Sequence, residues 1–112
     1  MKPFLNLTIK RQWYVEIATG RKREEYRWNE QAFRAYREGC RPGSVAIFRV
    51  GYRMDSSALA VEVVNVTVRN ESDEPRHRDW GEYKAPRVVL HLGAVLKQGD
   101  YATVKRWVET QP

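Results

Sequence analysis

Two segments dense in β-branched and other apolar residues, 45–52 and 59–68, flank a polar stretch containing Asp55-Ser56-Ser57, and this arrangement predicts a hairpin of two well-buried strands. A hairpin that apolar must be covered by further elements, and the flanking sequence supplies them. Residues 4–9 alternate Phe4, Asn6 and Thr8 with Leu5, Leu7 and Ile9, which predicts a first strand with one apolar side. Over residues 10–19, Trp13, Tyr14, Ile17 and Ala18 recur at three- and four-residue steps, the period of an amphipathic helix; Thr8 is the expected cap and Gly20 the left-handed stop.

Residues 21–28 follow as a strand without a wholly apolar face. Lys22, Glu24 and Tyr26 are placed on one side, Arg23, Glu25 and Arg27 on the other, so one side is expected to line a polar cleft. Asn29 then caps a second helix whose stripe is Ala32, Phe33 and Tyr36 and whose end is Gly39, before Pro42-Gly43 forces a turn. Residues 69–86 are charged and broken by prolines yet carry Trp80 and Tyr83, the mark of a functional loop rather than a slack one. Residues 88–92 read as another strand. Residues 100–109 fit a helix through Tyr101, Val104 and Val108, and alternation of Ala102, Val104, Arg106 and Val108 fits a strand equally well. This order predicts a single α+β domain over residues 1–112, its strands curled into a small barrel with two or three short helices.

The 112 residues are 42% hydrophobic and 30% charged, enough apolar mass for one core and too little for two. The formal charge of +6 is unevenly spread: residues 1–53 carry 12 Lys or Arg against 5 Glu, whereas residues 54–112 carry 8 against 9 acidic groups. A lopsided basic surface suits a polyanion more than it suits mere solubility. With no long apolar run and no signal-peptide order at the start, neither a membrane nor export is expected; one cysteine, Cys40, fits a reducing compartment, and cytoplasm is the expected location.

The segment Leu7-Thr8-Ile9-Lys10, Trp13-Tyr14, Ile17 and Gly20-Arg21-Lys22-Arg23-Glu24-Glu25-Tyr26-Arg27 resembles the opening signature of the ASCH family: an apolar strand ending in Ile-Lys, an aromatic helix, Gly-x-Lys, then Glu-x-Arg. Pro42-Gly43-Ser44-Val45-Ala46-Ile47-Phe48 is similar to that family's turn into its central strand, and Val89-Leu90-His91-Leu92-Gly93 to its closing strand. The resemblance implies a PUA-like β-barrel with a basic cleft beside the first helix, and RNA or a modified nucleoside as partner. Some members are amidohydrolases of acetylated cytidine that use a lysine, a threonine two positions before the motif's arginine, and a glutamate; others are described as ribonucleases. Here the lysine falls on Lys22 and the arginine on Arg27, but Glu25 occupies the threonine position, so a threonine-nucleophile mechanism does not carry over. The glutamate has only the unanchored candidates Glu71 and Glu74.

From these residues a hydrolytic role would give Lys22 the developing oxyanion or a phosphate and Glu25 the part of general base on water, provided a bulge or turn brings together two groups that an ideal strand sends to opposite sides. Lys10, at the strand-to-helix corner, and Arg27, through its bidentate fork, are the expected anion contacts. Trp28, Trp80 and Tyr83 are the expected stacking platforms for bases, while Trp13 and Tyr14 lie on the helix stripe and belong to the core. A Cys40 nucleophile with His77 or His91 has nothing to place its members together. Asp73, Glu74, His77 and Asp79 lack the paired spacing of a metal site. No metal and no cofactor are expected.

Overall fold

A computed structural model describes residues 4–27, 43–69 and 87–112. Its elements in chain order are β1 (Phe4–Thr8), α1 (Arg11–Ala18), β2 (Glu24–Arg27), β3 (Val45–Arg49), β4 (Ser57–Arg69), β5 (Arg87–Asp100) and α2 (Tyr101–Glu109). The strands form one sheet in the order β1-β3-β4-β5-β2, parallel between β1 and β3 and antiparallel elsewhere. The predicted second helix, after Asn29, and the charged segment 70–86 lie outside the described residues.

The β3–β4 hairpin forms as its composition demands, in the register Ala46↔Val61 and Phe48↔Leu59. Side chains of a strand alternate between faces, and here both faces are packed. Ala46 and Phe48 join Ile9, Tyr14, Ile17, Leu59, Val61, Leu90 and Leu92 beneath α1. Val45 and Ile47 join Ala58, Ala60, Tyr101, Val104 and Val108 beneath α2. The strand is shorter than the apolar run because Gly51, at φ 98°, turns the chain two residues after Arg49.

Curvature comes from β4 and β5. Their ladder changes register at Ala60/Val61, Val61/Val63 and Val63/Asn65, and each irregularity bends and twists a ribbon. Gly93 marks a tight point, where a Cβ would stand 2.7 Å from Val64 Cγ1 and 2.9 Å from Glu62 Oε1, so any side chain there would force those two side chains to move. The bend brings the two edges of the sheet together: Arg27 on β2 donates from Nη2 to the carbonyl of Thr8 on β1 at 3.2 Å, although three strands separate them in the sheet. The described chain is thus an α+β fold, a curled five-stranded half-barrel with two helices.

At several further points the structure departs from the sequence-based expectations or decides between them. The N-cap of α1 is Lys10, not Thr8, and its side chain makes no capping bond. The strand expected over residues 21–28 begins only at Glu24, since Lys22 N is still donating to Glu16 O at the end of the helix. The strand expected over residues 88–92 runs on to Asp100, its bulges having hidden the alternation. The ambiguous C-terminal segment is helical, because Asp100 Oδ1 accepts from Thr103 N at 2.8 Å and the helical stripe Tyr101, Val104 and Val108 is what the core buries.

The Asp100 cap gives a pH prediction. The backbone hydrogen bond from Thr103, then that residue's side-chain bond, hold the Asp100 carboxyl below its ordinary value of 3.8. A carboxylate depressed in the folded state stabilises above its unfolded pKa and loses that contribution as pH falls through the folded one. Thermal melts should therefore place Asp100→Ala below the parent at neutral pH, with the gap closing as the solution is acidified below 3.8.

Candidate functional site

Gly20, at φ 78°, ends α1 and turns the chain so that Lys22 leaves the helix on the side of Trp13 rather than as part of a regular strand. This turn is what brings Lys22 and Glu25 together. Glu25 is the second residue of β2 and points to the α1 side of the sheet, where it is 7% exposed. Lys22 Nζ lies 4.0 Å from Glu25 Oε1, and Arg27 Nη2 lies 3.5 Å from Glu25 Oε2. The Tyr26 amide also donates to Glu25 Oε1 at 3.0 Å. Two cations thus flank one carboxylate, leaving the cluster with a formal charge of +1.

Aromatic rings complete the enclosure. Lys22 Nζ stands 5.0 Å from the centroid of Trp13 and 5.1 Å from that of Tyr26, within the range of cation–π attraction. An open, solvated ion network would leave these charges in water; instead the Lys22 side chain is 17% exposed. Not every polar atom is satisfied. Glu25 Oε2 and Arg27 Nε are shielded from solvent and make no hydrogen bond among the described residues. Such atoms are uncommon in folded proteins, and at Glu25 Oε2 the ion pair with Arg27 Nη2 offsets part of the cost.

Next to the cluster a cleft of about 430 Å³ opens between the end of α1, at Ile17 and Gly20, and the bulged ribbon, at Val61, Leu92 and Gly93. That volume suits a small ligand. Of Lys10, Lys22, Glu25 and Arg27, Lys22 is the one that lines it, joined by Arg23. Lys10 is exposed at the start of α1, two residues beyond the Thr8 carbonyl that holds Arg27. Trp28, Trp80 and Tyr83, the expected stacking residues, lie outside the described residues, as do Cys40, His77, Glu71, Glu74 and the acidic residues around them.

Sequence reasoning passed over Trp13 and Tyr26. Tyr14 is indeed core, at 7% exposure, but Trp13 is only partly buried and offers a face to Lys22. Its position at the edge of the helical stripe was the available signal. Residues 10–27, which build this region, carry six basic groups against three acidic ones. Among the described residues no helix is long and apolar enough to cross a membrane. Compared with models of protein families and with curated proteins, the chain matches none.

Proposed function

We propose that the chain is an ASCH-type, PUA-like module that binds RNA or a modified nucleoside at the basic surface built by Lys10, Lys22, Glu25 and Arg27. What supports this reading is a pair of atoms that make no hydrogen bond among the described residues, Glu25 Oε2 and Arg27 Nε. A nucleobase edge carries a donor and an acceptor side by side: carboxylates accept from amino groups such as that of cytosine, and arginines donate to ring and carbonyl acceptors. Both atoms are closed to water in the free chain, so a base reaches them when Arg27, whose side chain is 27% exposed, swings outward. The surplus positive charge of the region then meets phosphate. A binding module of this kind works in the cytoplasm on RNA and needs no metal or cofactor.

Hydrolysis is the second reading, favoured by the 4.0 Å approach of Lys22 to Glu25. It would use Lys22 to hold an oxyanion and Glu25 to deprotonate water, on an RNA phosphodiester or the amide of an acylated cytidine. Titration of a short single-stranded RNA by fluorescence anisotropy, with product analysis on RNA and on acetylcytidine, separates the readings. The binding reading expects affinity that falls with salt and drops about tenfold or more in Lys22→Ala, the loss of one charge-assisted contact. Turnover abolished by the same substitution would establish the hydrolase. A chain with neither RNA affinity at low salt nor turnover of RNA or acetylcytidine, yet holding a protein partner independently of salt, would contradict both and leave a protein-interaction adaptor.

A further inference from the structure

The face of the sheet opposite α1 carries a polar row apart from the Lys22, Glu25 and Arg27 cluster. Leu90 and Leu92 pack beneath α1, so His91 between them faces the other way. The same alternation puts Thr67 on that face beside Val66, and Glu24 beside the inward Glu25. Thr67 Oγ1 and His91 Nε2 share a hydrogen bond of 2.8 Å across β4 and β5. On the other side of His91, Glu24 is its direct partner in the β2–β5 ladder, a placement that sets Cβ atoms about 4.5–5.5 Å apart. Glu24 Oε2 also accepts from Tyr26 OH at 3.3 Å. Asn65 is the partner of His91 on β4; its Oδ1 accepts from Val66 N at 2.9 Å, and its amide nitrogen is the group with donors to offer.

We propose that this row is a second reactive centre, with Thr67 as nucleophile and His91 as its general base, suited to acyl transfer from an activated ester. A hydroxyl within hydrogen-bond reach of an imidazole is the pair that nucleophilic acyl transfer requires, whatever the fold, and Glu24 stands across the ladder from that imidazole on the same face. Thr67 Oγ1 bonds to the acyl carbon while its proton passes to His91 Nε2. The negative carbonyl oxygen receives the Asn65 amide, as in an oxyanion site. Collapse breaks the bond to the leaving alcohol, which departs with the proton from His91. Water, deprotonated by His91, then attacks the Thr67 ester, releasing the carboxylic acid and restoring the hydroxyl. Glu24 is a positioning residue, fixing the tautomer of His91 that accepts from Thr67.

The test uses p-nitrophenyl acetate and the full chain, following nitrophenol release and mapping acetyl groups by mass spectrometry. The expected result is an acetyl group on Thr67. Thr67→Val and His91→Gln should each slow release about a hundredfold or more, while Thr67→Ser, which keeps the hydroxyl, retains the adduct. Thr67→Val preserves shape and β-branching, and an unchanged melting temperature separates lost chemistry from lost fold; were it to unfold, Thr67→Ser and His91→Gln decide the matter. Acetyl found only on lysines, the terminal amine or His91, or release undiminished in the folded His91→Gln variant, would overturn the proposal. This centre stands or falls independently of RNA binding.

Discussion

Phe48→Ala is expected to lower the free energy of unfolding by about 3–5 kcal/mol, the range for removing a fully buried aromatic ring from a packed core. Phe48 is 0% exposed and sits in the middle of β3, opposite Leu59 on β4. Its ring belongs to the cluster that also holds Ile17 of α1 and Leu90 of β5, so its loss leaves a cavity that three elements border and none can close alone. A domain of this size commands about 5–15 kcal/mol in total. Urea unfolding should therefore show the midpoint moved far toward zero with little change in slope. A shift worth less than about 1 kcal/mol would mean that Phe48 is not a packed member of the core beneath α1.

Arg27→Met should be the most damaging change at the site. It removes the bond to the Thr8 carbonyl, which ties the two sheet edges, and strips the buried Glu25 of one of its two cations. Leaving a buried charge with less compensation is worth more than the ion pair itself, because desolvation is no longer offset. Since Arg27 is partly exposed, a cost of about 1–3 kcal/mol is appropriate. The diagnostic is coupling. Glu25→Gln should be destabilising alone and nearly neutral in the Arg27→Met background, and a double-mutant cycle reads the difference. Additive effects would mean that the two side chains do not share an environment.

The hairpin, the first helix and its glycine stop were legible because each rests on a local rule: β-branched density for residues 45–52, a 3.6-residue stripe for Trp13, Tyr14 and Ile17, and a positive φ at Gly20. The length of β5 was not legible. Three register changes break the period-2 pattern between residues 91 and 97, and Gly93 reads as a terminator until Val64 and Glu62 are seen against it. The C-terminal helix was undecidable from pattern, since Val104 and Val108 satisfy both periods; the core behind Tyr101 selects one.

Half of the site was readable for a similar reason. Lys22, Glu25 and Arg27 stood out by charge, and the turn after Gly20 supplies the convergence that strand spacing alone forbids. The Trp13 contact depends on how α1 crosses the sheet, a property of packing that no local pattern encodes. Thr67 and His91 are 24 positions apart and meet only because β4 and β5 pair in a bulged register.

Nuclear magnetic resonance offers the most direct test of the central claim, that a base is read against Glu25 and Arg27 beneath Lys22. In a titration with short single-stranded RNA at low salt, the largest shift changes are expected at the Trp13 indole N–H, the Arg27 Nε–H and the amides of residues 20–27. The amides of α2, on the far side of the sheet, should barely move. Saturable binding whose changes centre on α2 or spread evenly over the basic surface, leaving Arg27 Nε–H and Trp13 unmoved, would contradict it.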